Sequence, residues 1–69
     1  MMVTEQTFRI SGMSCQHCVM AVRAELAKLP GVEIRELEVG RATVRYDQTR
    51  VRGEDLVRAI RAAGYDVNA

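Results

Sequence analysis

Two cysteines separated by two residues are the side chains of this sequence best suited to chemistry. Cys15 and Cys18 are its only cysteines, and they lie in the segment Gly12-Met13-Ser14-Cys15-Gln16-His17-Cys18. Residues 19–29 have a helical pattern, so the second sulfur is predicted near a helix N-terminus. Unpaired backbone N–H groups and the positive end of the helix dipole favour a thiolate there. We therefore expect an ionised, exposed sulfur pair that can bind a soft ion.

Two interpretations of the pair need no metal. Both cysteines could be small buried hydrophobic residues, but Ser14, Gln16 and His17 are polar, which argues against full burial of the first cysteine. The pair could also be a thiol–disulfide catalyst. Against this, the chain is short for a thioredoxin-like fold, and no aromatic residue precedes Cys15. The only proline, Pro30, is placed to end a helix rather than to face the cysteines.

Two further interpretations make the sulfur atoms metal ligands. Structural zinc requires four ligands, and the cysteines with His17 supply three at most, although Asp66 could supplement them. His17 lies between the sulfurs in sequence, so we expect it to point away from an ion that they share. Two thiolates satisfy Cu(I) in near-linear coordination, and thiolate is its preferred ligand. Such a site leaves a third position open to a competing thiolate, and Ag(I) or Hg(II) could bind similarly.

The hydrophobic pattern places this loop between a strand and a helix. Phe8 and Ile10 alternate with polar residues, which indicates a half-buried strand. Apolar residues at spacings of four and three indicate an amphipathic helix whose buried stripe includes Val22 and Leu26. The elements are predicted in the order β-α-β-β-α-β, over residues 4–11, 16–29, 32–39, 42–46, 53–63 and 65–67.

The second predicted strand, residues 32–39, has an irregular pattern. Leu37 and Val39 are expected to face inward. Ile34 is out of register with Leu37, whereas the charged Arg35 is in register with it. A β-bulge or a frayed start of the strand would account for this irregularity.

The order of the elements and their short connections predict the fold. The short turn between the second and third strands requires an antiparallel hairpin. The expected structure is an α+β, ferredoxin-like βαββαβ sandwich, in which a four-stranded antiparallel sheet carries two helices on one face. A chain of 69 residues has room for one small domain, so a single domain over residues 1–69 is expected.

The composition argues against several classes of function. With 48% apolar and 28% charged residues, the chain can fold around a core. Its formal net charge of +1 provides no field that would attract nucleic acid or an anionic membrane. The N-terminus lacks the basic start and apolar segment of a signal peptide, and no apolar run approaches the roughly 20 residues that span a bilayer. A cytoplasmic protein without direct membrane insertion is expected.

Three segments carry a family resemblance that covers essentially the whole chain. The Gly12–Cys18 motif, the Pro30-Gly31-Val32 turn and the terminal Gly64-Tyr65-Asp66-Val67 resemble the heavy-metal-associated domain, and in particular its stand-alone bacterial cytosolic copper chaperones. The resemblance implies a Cu(I) carrier that is not an enzyme. It also implies docking with the soluble metal-binding domains of a copper-transporting P-type ATPase, with the ion passed on by ligand exchange.

The resemblance assigns roles to five residues. It implies that Cys15 and Cys18 are the metal ligands and that His17 stays outside the coordination shell, where it tunes thiolate basicity or metal-bridged dimerisation. It places Tyr65 beside the metal loop, and it places Met13 beneath the loop, where packing is favoured over ligation.

The resemblance also implies two further partners and leaves two alternatives within the family. Metal can link two copies through shared thiolates into a homodimer, and copper can pass to a copper-sensing repressor. A mercury-binding protein and the excised N-terminal domain of a metal ATPase carry the same motif. The former is normally exported, and no export signal is visible. An initiating Met1 and an end two residues after Val67 favour a free-standing protein.

Overall fold

The fold was analysed in a computed structural model that describes residues 2–68. The sheet has the strand order β2-β3-β1-β4, and every neighbouring pair is antiparallel. The ferredoxin-like prediction is therefore confirmed. The elements are β1 (Val3–Ser11), α1 (Gln16–Ala27), β2 (Val32–Glu38), β3 (Arg41–Asp47), α2 (Gly53–Ala62) and β4 (Asp66–Asn68).

The core lies between the sheet and the two helices. Side chains alternate along the strands, so that Phe8 and Ile10 of β1 are buried while Thr7 and Arg9 are exposed on the other face. Burying a leucine or isoleucine side chain contributes about 1.5–3 kcal/mol relative to leaving it exposed. The core residues are Phe8, Ile10, Val22, Leu26, Ala42, Val44, Tyr46, Val51, Leu56, Ala59 and Ile60.

The irregularity expected in β2 is a shift of register. Ile34 pairs with Val44, but Glu36 pairs with Thr43, so Arg35 is an extra residue in the ladder. This bulge lets both Ile34 and Leu37 pack against the core despite their odd spacing.

Two predicted details of the elements are wrong. Val39 is 44% exposed, because the hairpin turn begins at this residue and takes it out of the strand pattern. Helix α1 ends at Ala27 rather than residue 29. Its last turn tightens, since the N–H groups of Lys28 and Leu29 donate to the carbonyls of Glu25 and Leu26, each three residues back.

The returning strand β4 brings the end of the chain back to the start of the cysteine loop. Ser11, the last residue of β1, pairs with Asp66, the first residue of β4. Tyr65 therefore stands next to Gly12, where the loop begins. Within residues 2–68, neither helix is long and apolar enough to cross a membrane.

Candidate metal centre

The loop between β1 and α1 holds both cysteines at the start of a helix. Gly12 has φ = +91°, a conformation that other residues rarely adopt, and it turns the chain out of β1. Cys15 is the N-cap residue of α1, with an extended backbone. Cys18 is the third helical residue, and its N–H donates to the Cys15 carbonyl at 3.1 Å. Both sulfurs thus belong to one helical turn.

The two sulfur atoms face each other. The Cys15 Sγ and the Cys18 Sγ are 3.3 Å apart, well beyond the roughly 2.05 Å of a disulfide bond. Cys15 is exposed and Cys18 is half-buried. The sulfurs are therefore reduced, adjacent to each other, and accessible to a second molecule.

The environment of Cys18 favours its thiolate. The pKa of this thiol is lowered from 9.0 to about 6, first by the backbone N–H of Ser14, then by the hydroxyl of Tyr65 and by the thiol of Cys15. Partial burial opposes these effects, and the backbone N–H of Cys15 adds to them. At neutral pH, most molecules therefore carry a negative charge on this sulfur.

Tyr65, near the C-terminal end of the chain, contacts both Cys18 and Gly12. The pKa of its hydroxyl is raised, chiefly by its hydrogen bond to Cys18 and also by burial and by the charge of the two sulfurs. Its ring packs over Gly12: a β-carbon built on that glycine would lie 3.4 Å from the Tyr65 Cδ1. The glycine thus gives the tyrosine room to approach the loop.

The other two predicted site residues differ in burial, and their roles stay predictions. Met13 is half-buried and packs against the hydrophobic core. His17 is exposed in the first turn of α1. Within residues 2–68, no group of three or more His, Cys, Asp or Glu side chains is placed to hold a metal ion. The structure thus brings Cys15, Cys18 and Tyr65 together.

The sequence prediction missed the backbone of Ser14. Its N–H is the largest contribution to the lowered pKa of Cys18. The prediction attributed thiolate stabilisation to the helix terminus, whereas the strongest donor belongs to the loop before the helix. No side-chain pattern could reveal this, because every residue except proline carries an N–H group.

A fold of this kind with a reduced sulfur pair on its first loop defines a class of metal-binding domain. The family model described as "Heavy-metal-associated domain" matches residues 7–66. The chain therefore belongs to the heavy-metal-associated domain family.

Individual relatives of known structure or name agree with this family. The copper chaperone CopZ of Bacillus subtilis is 42% identical over 65 residues, which cover 91% of this chain and 94% of the relative. A CopZ metallochaperone structure superposes with a TM-score of 0.84 at 36% identity, covering 94% of this chain and 100% of that one. The Cu(I)-loaded N-terminal domain of a potential copper-translocating P-type ATPase from Bacillus subtilis gives a TM-score of 0.84 at 28% identity, covering 97% and 86%.

Proposed function

We propose that this protein is a copper chaperone that binds Cu(I) through the thiolates of Cys15 and Cys18. The observation that carries the proposal is the pair of reduced sulfurs, 3.3 Å apart, on an accessible helix start. The copper chaperone relatives support copper as the cargo. In this role the protein is a carrier and not an enzyme.

The chemistry of the donor set favours a monovalent soft ion. Cu(I) prefers soft thiolate ligands, while structural zinc sites take four ligands. Metal–sulfur bonds of about 2.3 Å on opposite sides of one ion require sulfurs about 4.6 Å apart. The pair must therefore open on loading. Cys15 can move, because it is exposed and its side chain makes no capping bond to the backbone of the helix.

The same exposure allows release. An ion held by two thiolates leaves room for a third sulfur from an acceptor to bind before the first bond breaks. We propose that the acceptor is a soluble metal-binding domain of a copper-transporting P-type ATPase, since the Cu(I)-loaded domain of such a protein shares this fold. Because carrier and acceptor share one fold, the metal loop between β1 and α1 of the carrier can face the same loop of the acceptor.

The proposed compartment and the proposed homodimer follow from the thiol chemistry. Thiols persist in the reducing cytoplasm, so we place the carrier there. Two copies can share one ion through the exposed Cys15 and form a metal-bridged homodimer. A copper-sensing repressor is a second acceptor in this proposal, on the resemblance alone.

Anaerobic transfer between purified proteins tests the function. The protein is loaded with one equivalent of Cu(I), mixed with the metal-free N-terminal domain of the Bacillus subtilis ATPase, and separated from it by ion exchange. We expect copper to redistribute between the two proteins. The variant with Cys15→Ser and Cys18→Ser should neither load nor transfer, and Gln16→Ala, an exposed neighbour, should behave like wild type. Copper that loads equally on the double variant would refute the proposal.

The lowered pKa of Cys18 also favours a second candidate, a thiol–disulfide oxidoreductase, because a thiolate is the attacking species in disulfide exchange. An insulin reduction assay with dithiothreitol separates the two candidates. A carrier should add nothing to the rate of the reductant alone. Appreciable turnover together with weak Cu(I) binding would establish the oxidoreductase instead.

His17 tests the composition of the coordination shell. Its side chain is exposed, and we propose that it influences the thiolates or the homodimer without binding the metal. His17→Ala should therefore retain Cu(I) affinity while changing the dimer fraction seen by analytical ultracentrifugation. Loss of metal binding in this variant would make His17 a ligand.

A further inference from the structure

The strand β1 is longer than the strand that covers its outer edge. β4 pairs only with Arg9, Ile10 and Ser11, whereas β1 begins at Val3. Within residues 2–68, no strand lies beside residues 3–8 on this side of the sheet. We call residues 3–8 on this side the open edge of β1.

Alternate residues of the open edge direct their backbone groups outward. The N–H of Ile10 donates to the carbonyl of Gly40 at 2.9 Å, on the β3 side of the strand. The carbonyl of Met2 accepts from the N–H of Gln48 on that same side at 2.7 Å. Even-numbered residues therefore bond to β3, and the N–H and C=O groups of Val3, Glu5 and Thr7 face the open edge.

A groove runs along this edge, beneath the path that a longer β4 would take. Its apolar lining comes from Phe8, Val57 and Val67, and Gln6 and Arg61 also line it. The open edge contains no proline, no lysine and no bulge, so its one charged residue, Glu5, is the feature that selects which strand can pair with it. Unpaired backbone groups above an apolar groove are suited to an added strand.

We propose that the open edge of β1 binds an extended segment of another protein as an added strand, antiparallel to β1 and in line with β4. In this arrangement the segment exchanges backbone hydrogen bonds with Val3, Glu5 and Thr7. Its inward side chains are apolar and enter the groove. Its outward residue opposite Glu5 is a lysine or an arginine.

The charge of the outward residue follows from the row of side chains across the sheet. Glu33 of β2 lies opposite Arg45 of β3, and Arg45 lies opposite Glu5 of β1. The row therefore alternates negative, positive, negative as it approaches the open edge. A basic residue in the next position continues the alternation, and directly opposed unlike charges stabilise a sheet.

The same row argues against a second copy of this chain as the occupant. A symmetric antiparallel pairing that uses Val3, Glu5 and Thr7 of both copies places Val3 opposite Thr7. Glu5 then lies opposite Glu5 of the other copy. Like charges directly opposite one another destabilise the pairing. A basic segment of a different protein avoids this repulsion.

The open edge and the cysteine loop lie at opposite ends of β1. At about 3.4 Å per residue, Glu5 is roughly 20 Å along the strand from Ser11, where the loop begins. An added segment therefore leaves both sulfurs accessible. The interface of a five-residue strand is far smaller than the roughly 1,200–2,000 Å² of stable complexes, so binding is weak and suited to a transient tether.

NMR titration of the full chain with a synthetic peptide tests the proposal. The probe is acetyl-Thr-Val-Lys-Val-Thr-amide, and the matched peptide has glutamate in place of lysine. We expect saturable shifts confined to residues 3–8 and the groove, and slower exchange of the Glu5 and Thr7 amide protons. The glutamate peptide should bind about fivefold more weakly. Absence of saturation at several millimolar lysine peptide would overturn the proposal.

Variants of the protein locate the site and exclude the alternative occupant. Glu5→Lys should reverse the preference between the two peptides, while Glu33→Lys, in the same row but at the far edge, should keep it. Thr7→Pro removes an outward N–H and the hydroxyl bond to Thr43, but no backbone bond to β3, and it should abolish peptide binding with an unchanged circular dichroism spectrum. An unchanged peptide preference in Glu5→Lys, or concentration-dependent self-association through residues 3–8, would contradict the proposal.

Discussion

The two helices of this protein begin in chemically opposite ways. In α2, the N-cap residue Arg52 donates its N–H to the Oδ2 of Asp55, three residues later, at 2.9 Å, and Glu54 adds a second acid to the first turn. In α1, the equivalent positions are Cys15 and Cys18, with no acid in the first turn and no side-chain cap. A carboxylate occupies one helix start, and a sulfur occupies the other.

The first turn of α2 stabilises its helix, whereas the start of α1 stabilises a reactive thiolate. The acids of α2 satisfy a backbone donor and match the positive end of the helix dipole, which stabilises the helix. Helix α1 has no acid in its first turn and therefore lacks the bond that Asp55 makes in α2. The loop before α1 instead directs the N–H groups of Ser14 and Cys15 to the sulfur of Cys18. In α1 these backbone groups stabilise a thiolate.

Replacing the sulfur at the start of α1 by the carboxylate found in α2 should have the largest effect, a loss of Cu(I) affinity. Cys18→Asp gives α1 the third helical residue that α2 has, so we expect an unchanged or higher melting temperature. Structural zinc sites, which have four ligands, bind with roughly 10–16 kcal/mol, which is about 3 kcal/mol per ligand. Loss of one thiolate should therefore weaken Cu(I) binding by about two orders of magnitude or more. Competition with a chromophoric Cu(I) chelator measures the affinity. Wild-type affinity in Cys18→Asp would contradict the proposed role of Cys18 as a ligand.

Removing the Asp55 carboxylate from α2 should lower the stability of the fold and leave Cu(I) affinity unchanged. Asp55→Ala leaves the Arg52 N–H without its acceptor, and we expect a loss of about 1 kcal/mol in the free energy of unfolding. For a chain of this size, the melting temperature falls by about 4–8 °C. Thermal unfolding measures the effect, with Glu54→Gln as a milder control that keeps the cap. A changed Cu(I) affinity would show that the two helix starts are coupled.

The thiolate of Cys18 should make stability depend on pH. Its pKa is about 6 in the folded protein, against an ordinary value of 9.0. Between these values the unfolded chain binds more protons, so stability rises with pH. The contribution is complete above pH 9 and is lost as pH falls through 6. Urea midpoints of the reduced protein should show this rise, and Cys18→Ser should lack it. Parallel profiles for the two proteins would contradict the assigned thiolate.

The smallest expected change comes from the hydroxyl of Tyr65. Tyr65→Phe removes one donor to Cys18 but keeps the ring over Gly12 and the N–H of Ser14. The pKa of Cys18 should rise from about 6 to about 7 and stay below 9.0. NMR of carbon-13-labelled cysteine follows each thiol separately. A return of the pKa to 9.0 would make the tyrosine, and not the backbone, the dominant donor.

The fold was largely predictable because most of it depends on local patterns. Alternation in β1 and helical spacing in α1 identified the buried faces. The conflict between Ile34 and Leu37 indicated a bulge or a frayed strand start, and the structure has the bulge. Val39 was placed wrongly because a pattern cannot tell where a strand gives way to its turn. Asp47 also escaped notice: it lies in a polar sequence, yet it is buried and accepts from the N–H and hydroxyl of Thr49.

The candidate site was predictable in its side chains but not in its energetics. The spacing of Cys15 and Cys18 indicated a sulfur pair, and their ligand roles remain a prediction. The order of the donors to Cys18 depends on the backbone path after Gly12 and on the return of β4 beside β1. Both are tertiary features, which a pattern of residue types does not contain.

Copper K-edge X-ray absorption on the reduced protein, loaded anaerobically with one equivalent of Cu(I), tests the central claim most directly. We expect a coordination shell of sulfur alone, with two protein sulfurs in the monomer and a third only from an added thiol or from the second copy of a metal-bridged homodimer. Cys15→Ser combined with Cys18→Ser should remove this shell. A histidine nitrogen bound to copper, or the same sulfur shell in the double variant, would contradict the proposed copper site.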